Sequence, residues 1–139
     1  MNGTVKWVDN VMFVAKSGTG HSIVLDGAPE GGGQNAGMRP MELMALSVAS
    51  CSSYDVVTIL KKARQEILSC EAEVEAVRVD SVPSVFESIH LHFKIVGTGL
   101  AKKQVDRAIE LSADKYCSAS IMLKNSGVKV THDYEIIEK

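Results

Sequence analysis

No long unbroken hydrophobic run occurs in this chain of 139 residues. Polar residues interrupt each apolar stretch short of the roughly 20 residues a membrane-crossing helix needs, so no spanning segment is expected. The opening residues, MNGTVKWVDNVMFVAKSG, lack the basic start, apolar centre and small-residue cleavage site of a secretory leader. A cytoplasmic location is therefore expected. An excess of positive charge is also missing: 15 Lys and Arg stand against 17 Asp and Glu, scattered singly or in pairs, which disfavours nucleic acid and anionic membrane surfaces as partners. Cysteine is scarce. Cys51, Cys70 and Cys117 make an odd number in a chain without a leader, which excludes a disulfide framework and leaves each of them a buried or a reactive thiol.

Several catalytic signatures are absent as well. The glycine-rich stretch GAPEGGGQNAGM has no Gly-Lys-Ser/Thr ending and does not follow the dinucleotide fingerprint, while Gly-x-Ser-x-Gly and Cys-x-x-Cys occur nowhere. Neither a metal nor an organic cofactor is expected.

What is present reads as a single α+β domain over residues 1–139. TVKWV, VMFVAK and HSIVLD alternate apolar with polar residues between turn signals and predict a three-stranded meander. Residues 27–38, with five glycines and one proline, form a loop. Pro40 then opens a long helix running to about Gln65, apolar on most sides and hence buried. ILSCEAEVEAVRVD puts Cys70, Ala72, Val74 and Ala76 on one face and Glu71, Glu73 and Glu75 on the other, and VFESIHLHFKIVG puts Ile89, Leu91, Phe93 and Ile95 inward. The two pair as a hairpin. LAKKQVDRAIELSADKYC is a helix with Leu100, Val105, Ala108, Ile109 and Ser112 on one stripe, followed by a short helix from near Cys117 and a closing strand VKVTHDYEII.

The candidate chemistry centres on thiols. Cys51 sits inside the long helix among small neighbours, Ser47, Ala49, Ser50, Ser52 and Ser53. Desolvation there makes a thiol inert, yet small neighbours let a ligand or another backbone approach, so packing and function are both open. Asp55 and Ser47 lie one turn to either side on the same helix face. A carboxylate at Asp55 opposes thiolate formation at Cys51 unless a cation sits between, the other reading being that Asp55 caps or hydrogen-bonds something unrelated. Cys117, placed to start a helix, faces free N–H groups that favour a thiolate. Cys70 is expected to be packing, and His132, between Val130 and Tyr134, a satisfied core histidine. His90 and His92 share an outward face, but two ligands do not make a metal site.

The stretches RPMELMALSVASCSSYDVV and LSADKYCSASIML, followed by a terminal strand, resemble the OsmC/Ohr family of cysteine-dependent peroxidases, and within it the YhfA-like branch. VKWVDNVMF, GHSIVLDG, ESIHLHFKIVG and THDYE extend the likeness over nearly the whole chain. The resemblance implies an intertwined homodimer with the long helices central and two sites at the subunit interface. In each, Cys51 attacks an organic hydroperoxide and Cys117 resolves the sulfenic acid to a disulfide that a small dithiol reduces. The chain departs from the family's pattern at two points. The family's Pro-Glu pair is here Pro40-Met41-Glu42, and nine residues at about 100° each turn Glu42 away from Cys51. The family's early arginine is missing, Arg39 being the first in the chain, with Lys16 the charge available on the early strands. Glu42, Arg39, Asp55 and Lys16 are accordingly the candidate activating groups. The alternative expectation is a non-catalytic relative whose same cavity holds a small apolar or thiol-bearing ligand.

Overall fold

The computed structural model describes all 139 residues, which form two compact units, residues 1–44 and 45–139. In the first unit, β1 (Gly3–Asp9), β2 (Met12–Ser17) and β3 (Ser22–Leu25) make an antiparallel sheet in the order β1-β2-β3, the expected meander. Asn10 takes a φ of 47° in the β1–β2 turn, a left-handed conformation that asparagine tolerates. The loop at 27–38 contains a single 3₁₀ turn, Pro29–Gly31, and is organised by one buried side chain. Asp26 accepts backbone N–H bonds from Gly27 (2.7 Å), Gln34 (3.0 Å) and Ala36 (3.0 Å). The bond from Ala36 above all, with those from Gly27 and Gln34, holds its carboxyl below the usual range.

α1 spans Pro40–Lys62. At its start, Glu42 accepts the Arg39 backbone N–H at 2.8 Å, the reciprocal half of a capping box. At its end Arg64 adopts φ 57°, while Arg64 N–H bonds to Lys61 O and Gln65 N–H to Leu60 O, both at 3.0 Å. This Schellman closure stops the helix short of the expected Gln65. Ala45, Val48, Ala49, Ser52, Val56 and Leu60 form its buried stripe. The expectation that polar interruptions rule out a spanning length does not hold for α1: an 18-residue window has mean hydropathy 1.5, so length and composition alone would let it cross a membrane. Core helices pass the same test, and Val48 and Ser52 of the buried stripe of α1 bond to Cys117.

The second sheet has the order β4-β5-β6, with β4 (Glu66–Arg78) antiparallel to β5 (Phe86–Thr98) and β6 (Lys129–Glu138) parallel to it. β4 and β5 are the expected hairpin. Ile89, Leu91, Phe93 and Ile95 of β5 are buried, and Cys70, Ala72 and Val74 of β4 oppose Ile95, Phe93 and Leu91 across the ladder. Ala76 shares that face but is exposed. On the other face Lys94 pairs with Glu73, and His92 lies between Asp133 and Glu135 of β6. α2 runs Lys102–Leu111 and buries Val105, Ala108 and Ile109. The expected helix does not continue to Cys117. A π turn, Ser112–Tyr116, takes its place, with the Cys117 N–H bonded to Ser112 O at 2.9 Å, and α3 (Ser118–Asn125) then begins with Cys117 as its N-cap.

Candidate active site

Two elements of the second unit bring sulfur to one place. Cys51 lies midway along α1, with Asp55 one turn later on the same face, and Cys117 occupies the break between the π turn and α3. The Cys51 sulfur, an Asp55 carboxylate oxygen and the Cys117 sulfur all lie within 4.8 Å of one another. Both cysteines are free thiols, Cys51 half-buried and Cys117 fully buried.

The surroundings of Cys117 are polar although it is inaccessible. Its Sγ accepts from the Ser52 hydroxyl at 3.1 Å and from the Ser120 backbone N–H at 3.4 Å, and donates toward Val48 O at 4.0 Å. Here the sequence-based expectation of a helix-stabilised thiolate is corrected. The N-cap forms, yet burial pushes the Cys117 thiol above its ordinary 9.0, the bonds from Ser52 and Ser120 offset this only in part, and neighbouring Cys51 adds to the rise. Desolvation outweighs a helix of two turns.

Asp55 is the acidic member of the cluster. Burial raises its carboxyl above the ordinary 3.8, with the Ser112 hydroxyl pulling the other way. Its Oδ2 is buried and has no hydrogen-bond partner. A buried carboxylate oxygen without a donor is costly, so its position beside two thiols is chemically significant. Ser112 in turn donates to Ser52 O at 3.2 Å, tying the π turn to α1.

The model of the OsmC-like protein family matches residues 31–133, which takes in α1, Cys51, Cys117 and the first half of β6. The chain belongs to the OsmC-like family. Protein YhfA of Escherichia coli K12 is 40% identical over 140 residues, covering 99% of this chain and 98% of its own. A hypothetical protein of Aquifex aeolicus VF5, of known structure, is 29% identical with a TM-score of 0.81, covering 98% of this chain and 96% of that one. An organic hydroperoxide resistance protein OsmC from Legionella pneumophila shares the fold at 17% identity and a TM-score of 0.72, over 97% of each chain. The α+β architecture and family anticipated from the sequence are both borne out.

Within this OsmC-like chain the other candidate residues have separate tasks. Glu42 caps α1, and the Arg39 guanidinium donates to Asn35 Oδ1 (2.8 Å) and Gly37 O (3.1 Å), bonds that stay within residues 35–42. Lys16 stands on β2 opposite Thr4 and Ser22. Cys70 is half-buried on β4, its thiol pushed up by burial alone. His90 bonds to Thr131 at 2.8 Å and lies 3.3 Å from Asp133, so both outward histidines are engaged with β6.

His132 differs from expectation. It is half-buried, and its imidazole is held below 6.5 by burial first and by Lys124 second. The residues that sequence reasoning missed are Ser52 and Ser112, whose buried hydroxyls donate to Cys117 Sγ and to Ser52 O, and Ser120, whose backbone N–H donates to Cys117 Sγ. The one available signal was Ser120, three positions after an N-cap candidate, where a backbone N–H needs an acceptor.

Proposed function

We propose that this OsmC-like protein is a thiol-dependent peroxidase of the cytoplasm that reduces organic hydroperoxides through Cys51 and Cys117. The observation that carries the reading is the convergence of these two sulfurs and the Asp55 carboxylate within 4.8 Å. The Legionella relative, named as an organic hydroperoxide resistance protein and predicted redox protein, agrees with it. The half-buried Cys51 is the more accessible thiol and is the nucleophile; the buried Cys117 is the resolving one.

In the first step the Cys51 thiol gives its proton to Asp55 and its sulfur attacks the terminal peroxide oxygen. The O–O bond breaks, Cys51 becomes a sulfenic acid, and the alkoxide takes the proton back from Asp55 to leave as an alcohol. A carboxyl raised by burial is suited to hold that proton between the two events. In the second step the Cys117 sulfur displaces hydroxide from the sulfenic acid, its own proton completing a water molecule, and a disulfide forms. A dithiol then reduces the disulfide by exchange and leaves as its own disulfide.

The functional unit we propose is a homodimer. α1 exposes Leu46 (44%) and Tyr54 (74%) beside a groove of about 680 Å³ lined by Ala49, Ser50, Ser53, Val57 and Ala72 among others. An exposed apolar face of this kind on a long helix suits a second copy of the chain.

The test is dithiol-driven consumption of an alkyl hydroperoxide by the purified protein. Wild type is expected to turn over, and Cys51→Ser to fall by about two orders of magnitude or more. Cys117→Ser is expected to complete one turnover and accumulate a sulfenic acid that a cyclic diketone traps on Cys51. Undiminished turnover in Cys51→Ser would end the assignment.

A further inference from the structure

We propose that Cys51, Asp55 and Cys117 form a binding site for a thiophilic divalent cation of the zinc class. The proposal uses only the geometry of the reduced protein and does not depend on the peroxidase reading. Two sulfurs and a carboxylate oxygen lying within 4.8 Å of one another are close to the spacing a tetrahedral zinc requires, roughly 3.5–3.8 Å between ligand atoms for bonds of about 2.0–2.3 Å. Side-chain rotation closes the difference. Cys51 and Asp55 project from one helix face at a four-residue spacing, and Cys117 arrives from the start of another helix, so two rigid elements present the three ligands.

Two independent observations point to a cation here. Asp55 Oδ2 is buried without any donor, an arrangement that a metal ion satisfies directly. The Cys117 sulfur already receives the Ser52 hydroxyl and the Ser120 N–H, the outer contacts that orient and stabilise a metal-bound thiolate. Binding releases the two thiol protons and leaves two thiolates and one carboxylate around a divalent charge. Three protein ligands leave the fourth position open. The bound sulfurs are then held apart from disulfide formation, so metal loading and oxidation exclude one another.

The experiment is an anaerobic titration of the reduced full-length protein with Co²⁺, followed by displacement with Zn²⁺. A near-ultraviolet sulfur-to-cobalt charge-transfer band that saturates at one equivalent per chain and is abolished by Zn²⁺ is expected. Asp55→Asn should weaken binding by about tenfold or more, Cys51→Ser should lose the band, and Cys70→Ser should keep it. Zn²⁺ should also protect the half-buried Cys51, but not Cys70, from alkylation as read by peptide mass. Absence of the band in wild type, its survival in Cys51→Ser, or unchanged affinity in Asp55→Asn overturns the proposal. A protein that takes up no Co²⁺ yet consumes hydroperoxide would sink this inference alone, and a metal-binding protein without turnover would sink only the peroxidase.

Discussion

At the scale of single residues, the site is governed by burial of groups that prefer water. Asp55 carries the clearest consequence. Because its folded-state carboxyl is raised above 3.8, the folded chain keeps a proton that the unfolded chain has released; this contribution to stability is complete below 3.8 and is lost as pH rises through the folded value. Asn mimics the protonated form. Asp55→Asn is therefore expected to be more stable than wild type at neutral pH, with the gain shrinking as pH falls toward 3.8. Urea midpoints across that range measure it, and a gain that is constant with pH would contradict the assigned cause. Cys117 follows the same rule: burial raises its thiol and the hydrogen bonds from Ser52 and Ser120 offset this only in part, which suits the resolving role proposed for it better than that of first attacker.

At the scale of elements, the decisive feature is where helices stop. A continuous α2 reaching Cys117 would leave its sulfur on the side of a helix. The π turn at Ser112–Tyr116, locked by Ser112 to Ser52 O, instead sets Cys117 at an N-terminus facing α1. α1 is the other half of the frame, and its grip on the rest of the unit depends on Val48, Val56 and Leu60, each at most 2% exposed. Leu60→Ala leaves a cavity in that packing and is expected to cost about 2–5 kcal/mol in denaturant unfolding. At tolerated temperatures it should leave the chemistry of Cys51, two and a half turns away, in place.

At the scale of the whole molecule, the prediction concerns assembly. α1 presents only a third of its most apolar window to its own chain, and Leu46 and Tyr54 remain outside. A charge introduced there, as in Leu46→Glu, is expected to shift the solution mass from two chains to one, read by sedimentation or light scattering at micromolar concentration. A monomeric wild type would remove the dimer from the proposed function.

Local pattern was enough for most of the fold. The two-residue alternation of ESIHLHFKIVG, the glutamate-spaced face of β4, Pro40 at the start of α1 and Cys117 at the start of α3 each follow from interactions within a few residues, and the family resemblance named the architecture. The parallel pairing of β6 on β5, the π turn that Ser112 ties to Ser52 O and the environment of His132 did not show, because each depends on partners distant along the chain. The sequence by itself determined which residues are available for the proposed chemistry, since thiols and carboxylates are properties of side chains. Only the tertiary structure decided that Cys51, Asp55 and Cys117 lie within 4.8 Å of one another, and that Cys117 is raised rather than lowered, because proximity and desolvation arise when separate helices pack together.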